Sequence, residues 1–269
     1  MVGAMLAAPG LAGLPYAVRA AGGAALMAFL TCAGAYALND LFDVASDRIV
    51  KPSRPLADGK VGARGALVVS LALWGCAGIV AVRSGRLAAG FWLGWIVLLA
   101  AYSWRVKSWG LAGNVLVSAV ASSAFLLGAA CVGKVEAGVV PAAISVIVHL
   151  GREIAKSAAD VRGDRAAEVM TIAVRIGSRA ALRLSLWCVA AAFATSILPF
   201  VFSEYGTAYL IAVVAGAYPL LGLSLRRIVL AGRAPADDDR SREAAARSVA
   251  KLLKLVMPVG LLAFLLEAL

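Results

Sequence analysis

Residues 61–82 read VGARGALVVSLALWGCAGIVAV, and Arg64 is the one charged residue among them. Wound as a helix at about 1.5 Å per residue, such a run crosses a hydrocarbon core of roughly 30 Å. Comparable runs recur between polar breaks at roughly 17–45, 88–104, 110–132, 137–159, 179–202, 206–230 and 245–268. Hydrophobic residues make up 62% of the 269-residue chain and charged residues 15%, with a mean hydropathy of +0.89. These values exclude a disordered chain and a soluble two-domain enzyme. The reading is an all-α, polytopic membrane bundle. Residues 1–14 carry no Lys or Arg, and their apolar stretch breaks at Pro9. They lack the basic start of a secretory signal and read as the tail of a truncated first helix. With that tail the expectation is about nine transmembrane helices in a single domain, 1–269.

The net charge of +11 comes from 26 Lys and Arg against 15 Asp and Glu. Its placement excludes a nucleic-acid patch, because the cations sit in alternate loops. The connections near 48–64, 105–108, 160–183 and 226–243 are rich in them, whereas the intervening ones hold only Arg83, Arg86 and Lys134. That alternation follows the positive-inside pattern and puts the rich loops on the cytoplasmic face of a multi-pass cell-membrane protein. Gly22-Gly23, Gly75/Gly78 and Gly90/Gly94 read as close helix contacts. Cys32, Cys76, Cys131 and Cys188 stand singly in apolar runs and read as small core residues. Asp237-Asp238-Asp239 reads as a solvated loop, Trp104 and Trp109 as an interfacial belt, and His149 as a packing residue.

Two acidic helix ends carry the chemistry. In residues 39–47, NDLFDVASD, helical spacing puts Asn39, Asp43 and Asp47 on one face, with Asp40 one step aside. Arg152, Lys156, Asp160 and Asp164 repeat the four-residue spacing at the end of the 137–159 helix. Ionisable residues at membrane depth are functional candidates because insertion disfavours each by roughly 2.5–3.5 kcal/mol. Carboxylate and amide oxygens without His or Cys suit Mg²⁺, which shares its shell with water and substrate phosphates. Lys51 and Arg54 follow in KPSRPL, a loop that its two prolines should hold extended, and Tyr102, Arg105 and Lys107 occupy the next basic loop. Such cations grip phosphate oxygens, so the implied ligand is a diphosphate. Ion-path residues of a transporter would instead sit near the midplane on broken helices.

These residues resemble the UbiA superfamily of intramembrane prenyltransferases. Its first motif, N-D-x-x-D-x-x-x-D, stands at Asn39 to Asp47, and its second, D-x-x-G-D, at Asp160 to Asp164. The likeness extends through Arg54-Pro55-Leu56, the 102–107 loop and Arg152-Glu153-Ile154-x-Lys156. It implies a helical bundle around a central cavity and a diphosphate-releasing transfer of an isoprenyl group to a membrane-associated acceptor. By motif position it implies two Mg²⁺, one on Asn39, Asp43 and Asp47 with Asp40 beside them, the other on Asp160 and Asp164. Lys51, Arg54, Tyr102, Arg105, Lys107, Arg152 and Lys156 become the diphosphate-binding set, and Asp43, Asp160, Lys156 and Arg54 the catalytic one. Members that prenylate 4-hydroxybenzoate carry a longer stretch with Arg-Thr before Arg-Pro. Here only six residues separate Asp47 from Arg54, which looks more like the archaeal ether-lipid branch acting on geranylgeranylglyceryl phosphate. The expected partners are a geranylgeranyl diphosphate donor, that lipid phosphate and membrane lipid, with an aromatic acid as the alternative acceptor and no nucleic acid.

Overall fold

The computed structural model describes residues 14–202, 204–233 and 238–268. Nearly all of the expected first-helix fragment, and Asp237, lie outside them. Among the described residues eight helical segments are long and apolar enough to cross a membrane. They are α1 (Leu14–Phe42), α3 (Ala63–Arg83), α4 (Arg86–Trp104), the pair α5 (Leu111–Ser122) and α6 (Ala124–Ala130), α7 (Val139–Ala166), α9 (Ser178–Val201), the run α10 (Thr207–Ala212) to α11 (Tyr218–Arg233), and α12 (Asp239–Ala268). Two short helices, α2 (Val44–Val50) and α8 (Ile172–Ile176), follow α1 and α7 on the side where both acidic motifs lie.

The helices pack in two groups. In the first, α1 lies on α3 and α4 around Met27, Trp74, Ala77 and Trp95. Lipid offers no hydrophobic drive for that contact, so close approach and interhelical hydrogen bonds take its place. Gly34 has no side chain, and a Cβ there would meet Trp74 at 2.6 Å. The Ser70 hydroxyl donates to the Gly34 carbonyl at 2.8 Å, and the Trp74 indole N–H to the Thr31 carbonyl at 3.0 Å. In the second group α7 is the hub, packed on α9, α12 and α5 through Ile154, Ala155, Ala158, Val189 and Leu253. The site forms where α1 and α2 of the first group face α7.

Several expectations need correction. Of the glycines read as packing contacts, only Gly78, against Trp92, and Gly23, against Ser84, meet a neighbour; Gly22, Gly75, Gly90 and Gly94 face open space. Cys32 and Cys76 are exposed rather than core residues. The final helix starts at Asp239 rather than near 245, because Asp238 caps it by accepting from the Ser241 N–H at 3.0 Å and Asp239 pairs with Arg242 at 2.8 Å. The KPSRPL loop is coiled into turns rather than extended: the Arg54 N–H donates to the Lys51 carbonyl and that of Asp58 to the Arg54 carbonyl. Ion pairs of Arg54 with Asp40 and Asp47 hold it over the helix end.

Candidate active site

At Asp43 the backbone (φ −92°, ψ 1°) breaks the path between α1 and α2. Hydrogen bonds nevertheless cross the break, from Asp43 N to Asn39 O at 2.9 Å and from Asp47 N to Asp43 O at 2.8 Å. The bend changes which oxygens face inward. Asn39, Asp40 and Asp43 line a polar cavity of about 80 Å³, while Asp47 is buried beside it. Asp40, read as a step off the stripe, thus joins the wall.

The opposite wall is α7, which presents Glu153, Lys156, Ser157, Asp160 and Asp164 to the same cavity. Its end is a Schellman turn: Val169 N–H donates to Asp164 O at 2.8 Å and Glu168 N–H to Arg165 O at 3.2 Å, with Glu168 left-handed at φ 56°. The turn brings Thr171 back so that its hydroxyl donates to Asp164 Oδ2 at 3.1 Å. A third contributor is the 3₁₀ turn Val106–Trp109. It presses so closely on α5 that a Cβ on Gly113 would meet the Val106 carbonyl at 2.7 Å. From there Lys107 reaches into the cavity.

Charges alternate across the space. Lys107 Nζ donates to Asp43 Oδ1 at 2.7 Å, and Lys51 Nζ to Asp160 Oδ2 at 3.0 Å. Arg54 bonds both Asp40 Oδ1 and Asp47 Oδ2 at 2.6 Å. Burial works against the Arg54 cation, but its bond to Asp47 and the charges of Asp40, Asp47 and Asp43 outweigh it and hold the guanidinium more firmly protonated than a free arginine. On α7, Glu153 sits between Arg152 and Lys156, with Lys156 Nζ at 3.4 Å. Every motif carboxylate therefore has a partner, whereas Asn39 Oδ1 is buried with no hydrogen-bond donor although its Nδ2 donates to Asp43 Oδ2 at 2.6 Å.

A buried, unpartnered amide oxygen among carboxylates suits a hard cation, so the donor set fits Mg²⁺. Among the described residues no three Asp, Glu, His or Cys side chains come close enough to hold an ion alone. Such a site needs oxygens from a ligand, the way Mg²⁺ is commonly shared with substrate phosphates. One apolar space adjoins the polar one, and a second lies nearer the start of α7. A 120 Å³ pocket continues past Tyr36, Tyr102 and Lys156 to Cys32, Ala35 and Leu99. A 240 Å³ cavity runs between α7, α9 and α12, lined by Val148, His149, Leu221, Met257 and Phe264.

A charged niche opening on apolar space inside a membrane bundle is the layout of an intramembrane lipid-modifying enzyme, and comparison with known proteins agrees. The model of the UbiA prenyltransferase family matches residues 1–244. The chain belongs to that family. Digeranylgeranylglyceryl phosphate synthase of Halobacterium salinarum is 37% identical over 84% of this chain and 80% of its own length. A solved structure described as giving structural and mechanistic insights into digeranylgeranylglyceryl phosphate synthase in membranes is 25% identical, with a TM-score of 0.66 over 94% of both chains. A UbiA homologue from Archaeoglobus fulgidus, bound to GPP and Mg²⁺, shares the fold at 18% identity, with a TM-score of 0.61 over 96% of both chains.

As a UbiA prenyltransferase this chain is an enzyme and an integral membrane protein. The structure gathers Asn39, Asp40, Asp43, Arg54, Tyr102, Lys107, Lys156, Asp160 and Asp164 around one cavity, with Asp47 behind Arg54 and Lys51 on Asp160. Arg105 is exposed and Arg152 pairs with Glu153, and neither lines the cavity. Sequence reasoning missed Tyr36, Ser46, Asn114, Glu153, Ser157 and Thr171 as wall residues. Asn114 and Glu153 carried a signal, since each is a polar group within an apolar run. Thr171 carried none, because a chain reversal brings it in.

Proposed function

We propose that this UbiA prenyltransferase, acting as one domain over 1–269, moves a geranylgeranyl group from its diphosphate to the hydroxyl of geranylgeranylglyceryl phosphate and releases diphosphate. The observation that carries the reading is the pair of acidic motifs facing each other across one cavity, each carboxylate set answered by Lys or Arg. The names of the relatives support this acceptor, as does the short stretch between Asp47 and Arg54.

The roles follow from position. Asn39, Asp40, Asp43 and Asp47 on one side, and Asp160 and Asp164 on the other, would hold Mg²⁺, two ions in this reading. Bound there, the metal neutralises the charge that develops on the departing diphosphate. Lys107, Lys156, Arg54 and Lys51 take up the same charge, and each exchanges a carboxylate for a phosphate oxygen when substrate enters. Tyr102, half-buried where the polar cavity meets the adjoining pocket, packs between the reacting end and the prenyl chain. Apolar walls keep water from capturing the allylic cation before the acceptor does.

Purified protein given geranylgeranyl diphosphate and Mg²⁺ should prenylate geranylgeranylglyceryl phosphate at least ~10²-fold faster than 4-hydroxybenzoate, by kcat/KM. A faster reaction with the aromatic acid overturns the acceptor. We place the site on the cytoplasmic side because the cation-rich loops surround it. In a background without the four native cysteines, Ser53→Cys and Glu204→Cys should react with an impermeant maleimide from opposite sides of oriented membranes. Labelling from one side only would refute this topology.

A further inference from the structure

We propose that a second polar cavity, between α2, α7 and α12, binds the phosphate monoester of the acceptor lipid. The inference rests on the reading above that the acceptor is a glycerol phosphate lipid. The cavity measures about 250 Å³ and is lined by Ile49, Asp160, Arg162, Gly163, Glu243 and Arg247. Neither acidic motif accounts for Glu243. It lies two turns before the apolar part of α12, is only 1% exposed, and sits against the helix that carries the second motif.

The charge pattern explains what it does. Arg162 Nε approaches Glu243 Oε1 at 2.6 Å, and an Arg247 terminal nitrogen approaches Oε2 at 3.3 Å. One buried carboxylate thus holds two guanidinium groups side by side. Arg247 donates one N–H of its five-donor fork to Glu243 and Arg162 meets it as an ion pair, and the Arg162 and Arg247 side chains are 62% and 46% exposed. Asp160 is already neutralised by Lys51, so two arginines against Glu243 leave the cavity wall with one net positive charge. A pair of guanidiniums fixed by a common carboxylate and fronting open volume is a receptor for a tetrahedral dianion.

The location picks the acceptor rather than the donor. Asp160 belongs to both this cavity and the diphosphate cavity, so a phosphate on Arg162 and Arg247 sits one residue away from the reaction centre. That distance suits a glycerol unit, whose hydroxyl must reach the allylic carbon while its phosphate stays apart from the diphosphate. Ile49, 56% exposed, forms the outer rim, so a lipid can approach at headgroup level. A fixed phosphate would orient a weakly nucleophilic hydroxyl.

Binding to the full-length protein in detergent, without donor or Mg²⁺, tests this with two probes: a short-chain alkylglycerol phosphate and the same alkylglycerol without phosphate. Arg247→Gln and Arg162→Gln should each weaken the phosphate probe at least tenfold and leave the uncharged one unchanged, and Arg247→Lys should recover part of the loss. In turnover the acceptor KM should rise by the same factor while the donor KM stays. If both variants bind the phosphate probe as the native protein does, the site is wrong, whatever acceptor is used. If the variants lose the phosphate probe but the native enzyme does not prenylate geranylgeranylglyceryl phosphate, the phosphate site stands and the acceptor assignment falls.

Discussion

Asp43→Asn and Asp160→Asn should each lower turnover by at least ~10²-fold with both substrates saturating, while the purified proteins keep native helicity and elution. Asparagine retains the size of the side chain and an oxygen that can accept from Lys107 or Lys51, so the 2.7 Å and 3.0 Å contacts can persist and the bundle has no reason to unfold. What goes is one negative charge at a position that would bind a divalent cation. Weaker metal binding leaves the departing diphosphate under-neutralised in the transition state. A 10²-fold loss corresponds to about 2.7 kcal/mol of lost stabilisation, the scale seen when one preorganised electrostatic contact is removed. A chelator should silence the native enzyme, and added Mg²⁺ should restore it. If either variant kept more than a third of native turnover, its carboxylate would be no more than an ion-pair partner of its lysine.

Much of the architecture was legible because the bilayer imposes a length. Residues 61–82 and 179–202 were read within about two residues of α3 and α9, since apolar runs end abruptly at Arg or Gly. Helices extending beyond the hydrocarbon were harder. The first two turns of α12, DRSREAAA, look like a solvated loop in sequence. They are helical because Arg242 pairs with Asp239 one turn away and Glu243 with Arg162 on α7, a partner 81 residues distant in the chain. Local polarity cannot show that a charge will be buried against an opposite one.

The site was legible to the same extent and for a related reason. Four-residue spacing located the two acidic sets, but it assumes one unbroken helix. The turn at Asp43 breaks that assumption and exchanges Asp47 for Asp40 in the cavity wall. The cations were identified by loop, not by partner. Lys107 meets Asp43 because Gly113 lets the 3₁₀ turn settle against α5, a tertiary contact with no periodic signal. Arg105, two residues earlier and just before that turn, was indistinguishable from Lys107 in sequence and is exposed in the fold.

Glu153→Gln should destabilise the free protein by about 3 kcal/mol, and bound diphosphate should return most of it. Glu153 is 8% exposed and carries the negative charge between Arg152 and Lys156 on the cavity wall. Glutamine fills the same space but keeps one acceptor oxygen where the carboxylate gives one to each cation, so it turns an NH2 donor toward one of them and leaves two cations within one helical turn without their counter-charge. Breaking one partner of a buried pair costs roughly 3–5 kcal/mol. The lower end applies because the Lys156 side chain is 46% exposed to the cavity, where water screens it. A bound diphosphate brings negative charge to the same wall, so inorganic diphosphate with Mg²⁺ should raise the unfolding midpoint of the variant more than that of the native protein. Thermal unfolding in detergent with and without that ligand measures both quantities. Equal ligand-induced shifts in the two proteins would mean that Lys156 does not meet the diphosphate. An unaltered midpoint in the free variant would mean that Arg152 and Lys156 are already solvated, and that Glu153 is a wall residue with no electrostatic part in holding α7.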